Sequence, residues 1–353
     1  MVVTRQRVRV ALGCLWLVDA ALQAQPAMTT TRFATQVLAP GATGQPWLVA
    51  APVEQFVRLI SAHPLPWDAG FAVVQLLIGV GLLVPRTARA AVVASVAWGL
   101  GIWWLGEGLG GLLGGHADLL TGAPGAALLY VVLAVAAWPA TTPAGQPVRT
   151  LPGWLAGVWA AVWVGGAVLR LLPGQIDSRT VAAEVAASAS GGPSWLGGVD
   201  QAVAAAAAAS GPALAVGWVA VLLLVGLGGL VPGRVRTAAA GCGASLALMV
   251  WLLGEGLAQP WSGLATDPNS GPLLVLCSAA LLGVKVTYPR HARRASTSRP
   301  AAGMPLRAPL SPALLPPPAP LGAPASTWTL AAMGGPVNGR GWPDSRGGWG
   351  TPP

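Results

Sequence analysis

The sequence predicts an all-α protein: a polytopic membrane helix bundle of about eight transmembrane helices, arranged as a parallel 4+4 internal repeat. Three observations predict this fold. Hydrophobic residues make up 54% of the 353 residues and charged residues only 9%, whereas soluble domains carry about 25% charged residues. Long apolar runs recur along the chain, and short motifs return at a nearly constant spacing.

Eight apolar runs supply the predicted spans, because a helix needs about 20 mostly apolar residues to cross a bilayer. The first run is interpreted as a retained span rather than a cleaved signal peptide, since its counterpart in the repeat is internal. Two further stretches, 52–62 and 198–210, are amphipathic or alanine-rich, and we expect them to lie at the membrane interface. The eight runs are 8–25, 67–84, 87–105, 122–139, 153–172, 212–231, 235–253 and 271–288.

The distribution of arginine predicts the orientation. Arginines precede the first span, fill the turn between the second and third spans, and follow the last span. The connections 106–121 and 254–270 contain no Lys or Arg. Under the positive-inside rule, the chain is a multi-pass protein of the cell membrane with both termini in the cytoplasm, and these two connections face outward.

The internal repeat is the strongest signal. Leu-Gly-Glu107-Gly-Leu returns around Glu255, and Gly79-x-Gly81-x-x-Val-Pro returns from Gly226 onward. An even number of spans in each copy makes the repeat parallel, with an axis along the membrane normal. The predicted domains are a first half (1–142), a second half (143–288) and a Pro/Arg-rich cytoplasmic tail (289–353), which we expect to be disordered. Further matched positions are Trp16 and Trp163, Arg32 and Arg179, and Asp118 and Asp267.

Several motifs resemble those of the DoxX-like four-helix membrane proteins. Arg9-Val-Ala-Leu-Gly13-x-x-Trp16 is similar to the opening of that family's first helix, and Gln75-x-x-x-Gly79 with Arg86 is similar to its second helix and cytoplasmic turn. The loop at Asp267-Pro-Asn-Ser-Gly-Pro resembles a poorly characterised bacterial branch. The resemblance implies a non-enzymatic membrane subunit, linked to redox or quinone chemistry, whose partner is a membrane or extracytoplasmic redox protein.

Glu107, Glu255, Asp118 and Asp267 form the predicted site for a ligand or cation. Each glutamate ends an apolar run between glycines at the predicted outer boundary, where a carboxylate is costly and often functional. Each aspartate precedes the last span of its half, so a Glu and an Asp bracket each Gly-rich outer connection. Such a group suits a hard cation, although the metal stays open. The alternatives are helix-ending turns for the glutamates and N-caps for the aspartates.

Asp19 and Arg170 form a second hypothesis, an intramembrane ion pair. Asp19 lies well inside the first span, and Arg170 lies near the outer end of the fifth. The two spans are counterparts in the repeat, so they could face each other across the pseudo-two-fold axis. The alternative is that Arg170 extends to the outer headgroups.

Other classes fit the sequence poorly. The net charge of +9 is concentrated in the tail and short loops, which favours the lipid bilayer as partner and argues against nucleic acid. His63, His116 and His291 lie in loops or the tail, which argues against haem bound inside the membrane, although His116 could join Glu107 at a metal. The alternatives to a membrane subunit are a secondary transporter of a small solute or cation and a purely structural protein.

Overall fold

In the computed structural model, the described residues are 3–115, 117–188, 192–210 and 212–284. In this part of the chain, eleven α-helices alternate with short turns and no strand forms, which confirms the all-α prediction. The predicted tail at 289–353, His116 and His291 lie outside the described residues.

The helices fall into two series of similar order. The first half contains α1 (Arg5–Gln23), α2 (Trp47–Ala62), α3 (Pro64–Leu83), α4 (Ala88–Leu105) and α5 (Ala126–Ala136). The second half contains α6 (Trp154–Arg170), α7 (Ser178–Ser188), α8 (Ser194–Ala209), α9 (Pro212–Gly228), α10 (Arg234–Leu253) and α11 (Ser270–Leu282). Short 3₁₀ or π turns follow α1, α4 and α10.

Three helices, α3, α4 and α10, are long and apolar enough to cross a membrane, and the number rises to four if α8 and α9 form one bent span. Helices α5, α6 and α11 are apolar but shorter. Helix α5 begins at Ala126 rather than at the predicted 122, because Gly122 (φ 98°) and Gly125 (φ 105°) hold left-handed backbone conformations. The count of eight spans, the 4+4 arrangement and the membrane topology stay predictions.

Helices in corresponding positions make corresponding contacts. Helix α1 packs on α3 and α4 packs on α5, while α6 packs on α9 and α10 packs on α11. The backbones of α1 and α3 approach closely where glycines meet: a Cβ at Gly79 would lie 3.0 Å from the carbonyl oxygen of Gly13. Trp16 and Tyr130 from the first half share one hydrophobic core with Trp163 and Leu274 from the second.

The segment between α1 and α2 folds over the beginning of α3. Its buried residues Met28, Phe33 and Leu38 form a small cluster of their own with Ile60 of α2, against which Phe71 of α3 packs. This cluster brings aromatic rings from the connecting segment, α2 and α3 to one end of the first half.

Candidate functional site: an acid-lined aromatic cavity

The repeated glutamates cap the helices that follow them. The Oε1 atom of Glu107 accepts a hydrogen bond from the backbone N–H of Ala127 (2.9 Å) in the first turn of α5. Glu255 acts in the same way on α11: Oε1 accepts from the N–H (3.1 Å) and the hydroxyl of Ser270, and Oε2 accepts from the N–H of Gly271 (3.0 Å). Carboxylates in these positions satisfy free N–H groups and oppose the positive helix end.

The two glutamates nevertheless differ. Both carboxylate oxygens of Glu255 are hydrogen-bonded, whereas Oε2 of Glu107 is buried and has no partner, although the residue keeps some exposed surface. Burial and the nearby Asp267 carboxylate raise the pKa of Glu107 to about 8. Burial raises the pKa of Glu255 to about 7, and its hydrogen bonds limit that rise. Both oxygens of Glu255 therefore accept hydrogen bonds from the start of α11, while Oε2 of Glu107 has no hydrogen-bond partner among the described residues.

The aspartates do not cap helices. Asp118 lies eight residues before α5, where its Oδ1 accepts a hydrogen bond from the N–H of Leu120 (2.7 Å). Asp267 accepts hydrogen bonds from the N–H of Asn269 (2.7 Å) and the hydroxyl of Thr266 (2.7 Å) within its own loop. The N-cap alternative is thus wrong for both, because the loops turn before the helices begin.

Arg170 pairs with two acids other than the predicted one. Its Nη2 atom lies 2.6 Å from Oδ1 of Asp118 and 2.7 Å from Oε2 of Glu184, and the Arg170 and Asp118 side chains are fully buried. The predicted Asp19–Arg170 pair is therefore wrong. Arg170 ends α6 and reaches the loop before α5, whereas Asp19 points into the interior of the first half, beside Tyr130.

A cavity of about 320 Å³ lies in the first half. Helices α1, α3, α4 and α5 form its walls, and a loop of the second half, Thr266, Asp267 and Asn269, closes one side. Among the described residues, three carboxyl groups line this cavity and no Lys, Arg or His does. Its polar and acidic lining residues are Asp19, Gln23, Gln75, Glu107, Tyr130, Thr266, Asp267 and Asn269.

Five buried polar atoms on the cavity wall have no hydrogen-bond partner within the described chain. Three are acceptor oxygens: Oδ1 of Asp19, Oε1 of Gln75 and Oε2 of Glu107. The other two are Nε1 of Trp98 and the hydroxyl of Tyr130, which lies beside the carboxyl group of Asp19 and interacts with it. Buried polar groups are normally satisfied, so the unpartnered atoms of Gln75, Trp98 and Glu107, together with the buried Asp19 and Tyr130, indicate a ligand-binding site.

Aromatic rings form the opposite side of the cavity. Phe71 is their centre, with its ring centroid 5.4 Å from Trp98, 6.1 Å from Phe56 and 6.2 Å from Phe33. Trp16 packs 4.5 Å from Tyr130, and its indole N–H is fixed by the hydroxyl of Ser95 (3.0 Å). The wall is therefore rigid and rich in π-faces, which attract cations as well as apolar groups.

The structure brings together two of the four predicted acids at this cavity, Glu107 and Asp267, and adds Asp19 from the second hypothesis. Asp118 belongs to the ion pairs of Arg170, and Glu255 faces a more open cleft beside Glu107. Among the described residues, no group of three or more His, Cys, Asp or Glu could hold a metal ion. Sequence reasoning missed the aromatic wall, although one signal was present: all three phenylalanines of the chain lie in the first half.

Comparison with known proteins adds no assignment. No protein-family model matches the chain, and no curated protein or solved structure is significantly similar to it. The resemblance to DoxX-like proteins therefore stays a prediction from motifs, and the functional argument depends on the cavity itself.

Proposed function

We propose that the chain is an integral membrane protein that binds a small organic cation in the acid-lined aromatic cavity, taken up from the outer side. The observation that carries this proposal is a set of three acceptor oxygens, on Asp19, Gln75 and Glu107, that find no hydrogen-bond partner and no basic side chain at the cavity in the part of the chain that the structure describes. The proposal therefore places the predicted outward-facing acidic site in one cavity rather than in two paired loops.

The chemistry of the wall defines the class of ligand. Buried carboxylates are costly unless a cation or hydrogen-bond donors compensate them. Acceptor oxygens outnumber the donors, so the ligand should donate N–H groups, which protonated amines, amidinium and guanidinium groups do. The faces of Phe71 and Trp98 suit the same positive charge through cation–π attraction. A cavity of about 320 Å³ is at the lower end of small-molecule sites.

The second half supports the same conclusion from the protein's own side chains. In the repeat, Arg170 is the counterpart of Gln23, and Asp118 is the counterpart of Asp267. The guanidinium of Arg170 neutralises Asp118, whereas Gln23 is uncharged and donates to Asp68 (2.6 Å). Asp267 therefore faces a cavity in which no described residue supplies the positive charge that Arg170 supplies to Asp118. A cationic ligand would supply the missing positive charge.

A secondary transporter of the same cation is the second candidate, and a specific observation favours it. Asp19 lies inside α1, which we predict to cross the membrane, and acids at such depth often mark substrate pathways. The redox or quinone role implied by the DoxX-like resemblance fits the cavity less well. Quinone oxygens accept hydrogen bonds, and three of the five unpartnered atoms on this wall are oxygens of carboxyl or amide groups, which also accept hydrogen bonds when the carboxyl groups are ionised.

The test measures binding of benzamidine, an aromatic amidinium, to the full chain purified in an uncharged detergent. Benzamide is the matched neutral probe, and a short-chain benzoquinone tests the redox alternative. We expect saturable benzamidine binding by calorimetry, with no heat from benzamide. Asp19→Asn should weaken binding about a hundredfold, because one partner of a buried charge pair is lost.

Glu54→Gln is the matched control, since Glu54 is an exposed acid that pairs with Arg58 and does not line the cavity. Equal binding of benzamidine and benzamide, or equal loss in the Asp19 and Glu54 variants, would refute the cation site. Selective binding of the quinone would favour the redox subunit instead. Uptake of labelled benzamidine into proteoliposomes would distinguish a transporter from a binding subunit.

A further inference from the structure

A second site lies at the other end of α1, beside its first turns. A cleft of about 860 Å³ separates these turns from the segment 137–149, which connects α5 to α6. Of the described residues on its wall, none is acidic and four are arginines, namely Arg5, Arg7, Arg9 and Arg149. Four positive charges around one cleft indicate an anionic ligand.

Arg9 distinguishes this cleft from an ordinary basic surface. The residue is only 6% exposed, and its Nη1 atom is buried with no hydrogen-bond partner among the described residues. A buried guanidinium N–H group without an acceptor is costly, because it loses its hydration and gains no hydrogen bond in return. The group is therefore positioned to receive an oxygen ligand from the cleft.

The opposite wall of the cleft, formed by the connecting segment, is held in place by hydrogen bonds to its main chain. Arg5 donates from Nε to the carbonyl of Thr150 (2.7 Å) and from Nη1 to the carbonyl of Trp138 (2.9 Å), which ties α1 to the connecting segment. Within that segment, the N–H of Val148 donates to the carbonyl of Ala140 (2.9 Å). The arginines thus surround a preformed cleft rather than a loose loop.

We propose that this cleft binds the phosphate of an anionic phospholipid. Arginine matches phosphate oxygens in geometry and charge. The cleft also includes the apolar side chains of Val10, Ala11 and Ala137, along which an acyl chain could run. Under the predicted topology, the first turns of α1 lie at the cytoplasmic surface, where anionic headgroups attract basic residues.

Free phosphate shares the same headgroup chemistry, so the experiment separates the two sources. The full chain in an uncharged detergent is mixed with phosphatidylglycerol or phosphatidylcholine, and bound lipid is measured by native mass spectrometry. Inorganic phosphate is added as a competitor. We expect selective retention of phosphatidylglycerol, which millimolar phosphate does not displace. Arg9→Gln should lower its retention about tenfold, the size of one charge-assisted hydrogen bond.

Arg89→Gln is the matched control, because Arg89 is an exposed arginine on the same predicted side of the membrane and outside the cleft. Arg9→Lys keeps the charge without the fork-shaped donor and should give an intermediate loss. Equal loss in the Arg9 and Arg89 variants, or no preference for phosphatidylglycerol in the unaltered protein, would overturn the site. Complete displacement by inorganic phosphate would overturn the lipid as its ligand. The cleft and the cavity are at opposite ends of α1, so either proposal can fail alone.

Discussion

The two halves of the chain have similar helix orders but different interiors. In the first half, Asp19, Gln75 and Trp98 surround a cavity of about 320 Å³. In the second half, the indoles of Trp159 and Trp163 pack 5.2 Å apart, and the void of about 10 Å³ beside them is shared with Leu129 and Val132 of the first half. An apolar cleft of about 410 Å³ lies beside Gly166.

Small changes at matched positions produce this difference. Gly166 stands where the first half has Asp19, and a Cβ at Gly166 would lie 3.1 Å from Leu119, so the space is taken by a leucine. The indole of Trp159 lies against Gly243, where any side chain would collide with it. The second half thus has apolar residues at these positions, while the first half has polar groups without hydrogen-bond partners among the described residues. At matched positions of the predicted repeat, the helix contacts are therefore more alike than the polarity of the side chains.

The largest expected effect is a loss of stability on replacing Arg170 in the second half. Arg170→Met should lower the free energy of unfolding by about 3–5 kcal/mol, because Asp118 and Glu184 would remain buried without their guanidinium. Thermal or denaturant unfolding in detergent measures this loss. The exposed Arg179→Met is the control and should cost little. A loss below about 1 kcal/mol for Arg170→Met would mean that the acids find other compensation.

A double substitution should convert the first half toward the second. Gln23→Arg with Asp68→Ala reproduces the pair Arg170 and Ala215 at the matched positions, and it places a guanidinium on the cavity wall. We expect benzamidine affinity to fall about a hundredfold, since the new side chain would occupy the cation's place. Calorimetry measures the affinity, and Asp68→Ala alone is the control. Unchanged affinity in a folded double variant would contradict the parallel between Arg170 and the ligand.

The pH dependence of binding tests Glu107. Its pKa is raised to about 8, so the carboxyl group is mostly neutral at pH 6 and mostly ionised at pH 9. An ionised carboxylate favours a cation, so affinity for benzamidine, which stays charged over this range, should increase as the pH rises. The gain cannot exceed about tenfold per pH unit from one group. Glu107→Gln should flatten the profile, and an equally steep profile in that variant would assign the titration to another acid.

The smallest expected effect distinguishes helix capping by Glu255 from a role of that residue in ligand binding. Glu255→Ala removes the acceptors for the N–H groups of Ser270 and Gly271. The expected cost is about 1–2 kcal/mol, as for the loss of a good N-cap, with benzamidine affinity unchanged. Unfolding and calorimetry on the same sample give both quantities. A marked loss of affinity would show that the second-half glutamate also serves the cavity.

The sequence predicted the helices better than it predicted the site. Helices α3, α4 and α10 begin and end within a few residues of the apolar runs at 67–84, 87–105 and 235–253, because apolar composition alone marks them. Helix α5 was predicted too long, since the left-handed conformation of Gly125 could not be read from hydropathy. Repetition singled out Glu107 and Asp267, and both line the cavity.

The partners of these residues could not be predicted. Glu107 reaches the N-terminus of α5, twenty residues further along the chain, and Arg170 meets Asp118 across the two halves. Such contacts depend on how the loops turn, and no periodicity in the sequence records that. The aromatic wall draws Phe33, Phe56 and Phe71 from three separate elements, so it becomes visible only when those elements are placed together.

The contacts between the two halves have a consequence for dissecting the protein. A fragment cut at the predicted boundary after residue 142 would keep Asp118 but lose Arg170, its buried counter-ion. The same fragment would lose Thr266, Asp267 and Asn269, which close one side of the cavity. The two halves are therefore not separable, and a truncated chain would show the effects of misfolding rather than the properties of either half. Co-expressed fragments that reassemble would be the suitable material for such studies.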